Sequence, residues 1–118
     1  MNELEINCYN FLIELASGLA ADFEIQYKTM EEFARWNLPE EIALEWIDAE
    51  GMLQILLNSN FHYLEELEIL ELIIENFNRA FEESLSYVWT YSAMQKDDFW
   101  LHQRNLARQL LIMHDSHA

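Results

Sequence analysis

The sequence predicts an all-α fold, an antiparallel bundle of about five helices, on three observations. Apolar residues return at three- and four-residue intervals along most of the chain, which is the period of one helix face. Only two glycines and one proline occur in 118 residues, whereas sheets and tight turns rely on both. No stretch alternates apolar and polar residues for more than a few positions, as a half-buried strand would. The length is that of one domain, so residues 1–118 are read as a single acidic helical domain. A hydrophobic content of 52% supplies a real core and argues against disorder.

The first helix is expected from about Asn2 to Ala21, with Leu4, Cys8, Phe11, Leu15 and Leu19 as its inner face. The second is expected over about Met30 to Trp36, opened by a Thr29-x-x-Glu32 capping box. Pro39 suits the first turn of a third helix, where its missing N–H costs nothing. This helix runs to about Leu57 on a stripe of Ile42, Trp46, Ala49, Leu53 and Leu56. Asn58-Ser59-Asn60 then breaks the chain. From about Phe61 to Met94, residues Leu67, Leu70, Ile74, Phe77, Phe81, Leu85 and Val88 keep one helical phase. That span is one long helix, or two joined near Asn76 and Asn78. Asp97-Asp98 caps the last helix, which runs to about Met113 and turns Phe99, His102 or Gln103, Leu106, Leu110 and Met113 inward.

Charge excludes whole classes of partner. Asp and Glu number 22 against six Lys and Arg, a formal net charge of −16. Phosphate backbones and anionic membranes are bound by Lys and Arg, so direct binding to nucleic acid or membrane is not expected. The uncharged stretches 51–64 and 84–95 fall short of the roughly 20 apolar residues of a membrane span. The acidic N-terminal sequence lacks the basic start of a signal peptide, and a lone Cys8 makes no internal disulfide. A cytoplasmic location is therefore expected. Glu65, Glu68, Glu71, Glu75 and Glu82 share the outer side of the fourth segment, with Glu41, Glu45 and Asp48 forming a second stripe on the third. Like charges at these spacings repel by about 0.2–0.5 kcal/mol per pair, and almost no lysine relieves them. A solvated, solubilising surface is the plain reading. A surface built for a cation-rich partner is the functional one. The aromatic run Tyr87-Val88-Trp89-Thr90-Tyr91, with Trp36 and Trp100 near helix ends, offers interface anchors or core.

Catalytic patterns fail. A di-iron carboxylate site needs Glu three residues before His, and His62, His102, His114 and His117 all lack it. His114-x-x-His117 has metal-ligand spacing but reads as a solvated tail. Cys8 lies on an apolar stripe and reads as an inert buried thiol. Arg104 and Arg108 read as cations near helix ends or as partners of the acidic stripes. No phosphate loop, nucleophile elbow or zinc spacing occurs, so neither cofactor nor metal is expected, and no enzyme activity.

Arg108, five residues, then His114 resembles the short motif of helical HEPN-type ribonucleases. That resemblance implies RNA cleavage at a dimer interface, which the charge opposes. In bulk composition the chain is similar to small acidic helical immunity proteins, and to proteins that mimic DNA. That likeness implies an inhibitor that covers the basic active surface of a toxin such as a nuclease, with the eight carboxylates above as contacts. The alternative is a structural or adaptor bundle acting through homo- or hetero-oligomerisation, including a homodimer.

Overall fold

The computed structural model describes residues 2–30 and 38–117. Among them are seven α-helices: α1 Glu3–Ala20, α2 Phe23–Met30, α3 Leu38–Asp48, α4 Glu50–Leu57, α5 Leu64–Glu82, α6 Tyr91–Lys96 and α7 Asp98–Asp115. A 3-10 turn, Ser86–Val88, precedes α6. The described residues contain no strand. The all-α expectation holds.

Asn2 opens α1, its Oδ1 accepting from the Glu5 N–H at 2.8 Å, and Glu3 and Glu5 favour the positive end of the helix. The buried face is Cys8, Tyr9, Leu12, Ile13, Ala16 and Leu19, while Leu4 and Phe11 are exposed. It is turned from the expected stripe by about 80°, close to one residue position. The reason is that α1 packs against both α4 and α7, so it buries a broad arc rather than one seam.

The segment between α1 and α3 differs from expectation. Thr29 falls inside the backbone of α2 rather than ahead of a helix, and residues 31–36 of the expected second helix, Trp36 included, lie outside the described residues. The third expected helix divides at Ala49, whose N–H is shared between the carbonyls of Glu45 and Trp46. The expected stripe still holds across that joint: Ile42, Trp46, Ala49, Leu53 and Leu56 are all buried. The break after Leu57 is where the asparagines place it, with Ser59 Oγ donating to the Leu56 carbonyl.

The expected span 61–94 is two helices, and the joint is not at the asparagines. Asn76 lies inside α5 and donates to Gln103 of α7 at 2.9 Å. Gln103 in turn donates to the Ile73 carbonyl, so this asparagine ties helices together. The chain turns instead at Ser84, with φ of 53°. There the Ser84 and Leu85 N–H groups bond back to Phe81 and Ala80, the Schellman pattern of a helix end. Thr90 and Asp97 then cap α6 and α7 through the N–H groups of Ala93 and Phe99.

Side-chain bonds set the order of the long helices. On α7, Arg108 reaches the end of α1 at Ala20, and His114 reaches Tyr9, so α7 runs antiparallel to α1. It is likewise antiparallel to α5, since Phe77 meets Phe99 and Trp100 while Glu66 meets His117. The core is filled by Trp46, Trp100, Phe77, Leu12, Leu53, Leu70 and Ile73. Trp100 donates its indole N–H to the Val88 carbonyl at 2.7 Å. Trp89 is also buried and stacks on Phe81. Among the described residues, Tyr87 and Tyr91 are the expected aromatic anchors that stand exposed. Among the described residues no helix is long and apolar enough to cross a membrane.

Candidate functional site

Two regions collect charged side chains. The first is an outer acidic face. Glu65, Glu68, Glu71, Glu75 and Glu82 are all exposed on α5, and Glu45 and Asp48 on α3, with Glu41 half-buried beside them. Because α3 and α5 pack side by side, the two stripes belong to neighbouring helices. Glu50 of α4 joins Glu75 and Glu82 around an open depression of about 480 Å³, with Asn78 and Arg79. That residue was not among the carboxylates expected from sequence. Leu44, Leu64 and Leu72 are exposed among these acids. Burial first, then the negative charge of Glu41, raise the Glu45 carboxyl above its ordinary range. Glu45 borders a small apolar groove between α1 and α3, lined by Leu15, Ile42 and Trp46 with Glu14 opposite.

The second region is a buried polar cluster that the sequence did not reveal. Glu66, third residue of α5, is only 1% exposed. The Tyr9 hydroxyl donates to its Oε1 at 2.6 Å, and the same hydroxyl lies 2.7 Å from His114 Nδ1. With its single proton given to Glu66, Tyr9 accepts from His114 Nδ1–H. Burial first, and Glu66 next, push the Tyr9 phenol well above its usual range. On the other side His117 Nε2 lies 2.7 Å from Glu66 Oε2. That approach does not meet hydrogen-bond geometry, so Oε2 has a close nitrogen neighbour but no hydrogen bond among the described residues. His117 stacks flat on Tyr63, centroids 3.7 Å apart and planes 12° from parallel. His114 and His117 are therefore docked on the bundle, not a solvated tail. Beside them opens a cavity of about 370 Å³ bordered by His62, Tyr63, Glu65, Glu66, Met113 and His117. Among the described residues no group of three His, Cys, Asp or Glu is placed to hold a metal ion.

The cations of α7 serve the fold. Arg104 is buried and donates to Gln26 Oε1 at 3.0 Å and to the Met94 carbonyl at 2.6 Å. Burial and the neighbouring Arg108 lower its pKa, and Asp22 opposes them. Gln26 closes the end of α1 by donating to the Gly18 and Leu19 carbonyls. Arg108 binds the Ala20 carbonyl and Asp22. Both arginines thus satisfy the ends of other helices and neither reaches the acidic stripes. Arg108 and His114 engage α1 at Ala20 and Tyr9, about 16 Å apart along that helix. The pair does not converge on one point within the chain. Cys8 is buried, as expected.

Comparison with protein-family models, with curated proteins and with solved structures gives no match.

Proposed function

We propose that this chain is a protein-binding inhibitor of the immunity-protein kind. It neutralises a basic toxin, such as a nuclease, by covering the active surface with its acidic helical face. The supporting observation is the exposure of Glu65, Glu68, Glu71, Glu75 and Glu82 on α5 beside Glu45 and Asp48 on α3, with Leu44 and Leu72 exposed among them. Such an array presents carboxylates where a nuclease binds phosphates, which steers encounter and fixes orientation. The leucines supply apolar contact within the polar field. On this reading the chain works in the cytoplasm, needs no cofactor and carries out no chemistry of its own.

A homodimeric or adaptor bundle is the second reading, favoured by Leu64, the most exposed leucine of the described residues at 63%. Capture from the native lysate, eluted by a salt gradient, separates the two. The inhibitor reading expects a basic protein that leaves with salt and is not retained by Glu68→Lys/Glu75→Lys, a variant that stays folded. Self-association or a partner that resists salt and ignores the reversal would overturn it in favour of the adaptor.

A further inference from the structure

The cavity at the α5 start and the α7 end has the parts of a receptor for a flat organic cation. Its floor is Glu66, a carboxylate almost wholly buried, with Oε2 lacking a hydrogen bond. Tyr63, with His117 stacked on its ring, and exposed Glu65 also line the cavity. His117 already occupies part of this space: its planar ring lies on Tyr63 while its nitrogen faces Glu66. A flat nitrogen group stacked on an aromatic ring and facing a carboxylate is how guanidinium is held. His117 fills that role imperfectly, because it leaves Oε2 without a hydrogen bond.

The geometry points to this cavity as a binding site for a guanidinium group, with His117 as an internal stand-in that the ligand displaces. Guanidinium brings five N–H donors in a rigid fork, enough to satisfy Glu66 Oε2 while remaining flat on Tyr63. An ammonium group has no flat face to stack there, so the site discriminates arginine from lysine. The volume of about 370 Å³ exceeds what the cation alone needs. The spare room accommodates the aliphatic stem against Leu64 and Met113. The Tyr9 hydroxyl, itself bonded to His114, holds Glu66 Oε1 from behind, leaving Oε2 as the atom offered to the ligand. This site shares Glu65 with the outer acidic face, but its floor is Glu66, a carboxylate that the face does not include.

Argininamide and lysinamide are titrated calorimetrically into the wild type, His117→Ala and His117→Ala/Glu66→Gln. The expected result is argininamide binding at least tenfold tighter to His117→Ala than to the wild type, a clear preference over lysinamide, and loss of the gain in the double variant. His117→Ala/Tyr63→Leu removes the stacking wall and keeps Glu66, so the test survives if the Gln variant does not fold. Equal affinity for both amides, no gain in His117→Ala, or a gain that persists without Glu66 or Tyr63 would overturn the site. A short peptide carrying one arginine is the second probe. Tighter binding than argininamide assigns the guanidinium to a protein side chain, and weaker binding to a small molecule. Glu68→Lys/Glu75→Lys leaves argininamide binding unchanged, so failure of the acidic-face proposal and failure of this one are told apart.

Discussion

Replacing Glu71 by lysine is expected to make the protein more stable. Glu71 is the eighth residue of the 19-residue α5 and exposed, so the change disturbs neither the core nor either helix terminus, where the macrodipole acts. Its neighbours on the helix surface are Glu68, three residues before, and Glu75, four after. Each like-charge contact costs about 0.2–0.5 kcal/mol, and each opposite-charge contact gains a similar amount. Lysine removes two repulsions and creates two attractions, four contributions in all. The expected gain is about 1–2 kcal/mol, at the lower end because Lys before Glu is the weaker order. Intrinsic helix propensity is nearly equal for the two residues and adds little. For a chain of this length the gain corresponds to a rise in melting temperature of about 4–8 °C. Thermal unfolding followed by circular dichroism at low ionic strength measures it. In about 1 M salt, where charges are screened beyond roughly 3 Å, most of the rise should vanish. A melting temperature that stays level or falls at low salt would show that these carboxylates do not repel, and would remove the reason for reading the face as costly.

Ser84→Gly is expected to stabilise by about 0.5–1 kcal/mol, because glycine relieves the left-handed backbone at φ 53° and offsets that with greater unfolded freedom. Ser84→Val should destabilise, and urea midpoints of the pair give the comparison. Arg104→Ala strands the acceptors Gln26 Oε1 and Met94 O and opens a hole, costing about 2–5 kcal/mol. Arg104→Met fills the space without a buried charge and should cost clearly less, so equal losses would refute the account of this residue as a buried charge. Glu45→Gln should raise stability near neutral pH only. The Glu45 carboxyl is raised in the folded state, so the fold holds that proton more tightly than the unfolded chain. The stability is fully present below the ordinary carboxylate range and is lost as pH rises through the raised value. The Gln advantage therefore fades below about pH 4, and it is small because the side chain is only partly buried.

The helices were legible wherever apolar spacing met a cap. Ile42 through Leu56 and Leu67 through Phe77 turned inward in the expected phase, and Asp97 capped α7. The joint after α5 was hidden because its left-handed position is held by serine where glycine usually marks the end. The asparagines that invited a break are side-chain donors or surface residues of a continuous helix. The eight carboxylates were readable because a charged outer face follows from helix phase alone. The Glu66 cluster was not, because it joins Tyr9, Glu66, His114 and His117 across gaps of 57 and 105 residues. One signal was present. Glu66, Leu70, Ile73 and Phe77 recur at four, three and four, so a carboxylate stood in line with core positions. The stripe that begins at Leu67 runs one position beside it.

The few cations explain why the outer face stays so negative. Arg104 and Arg108 are committed to Gln26, Met94, Ala20 and Asp22, where they close helix ends that would otherwise be left with unsatisfied carbonyls. Their removal would cost the fold several kcal/mol, whereas a lysine placed on α5 would help it. The fold therefore gives no reason for the bare carboxylates of α5. Two explanations remain, and they separate on one comparison. A solubilising surface predicts that Glu71→Lys gains stability and loses nothing but some solubility. An interface predicts that the same substitution gains stability and slows association with a basic partner, with both effects shrinking together as salt rises. Stability and binding moving in opposite directions in one variant is the outcome that a purely solvated helix face does not produce.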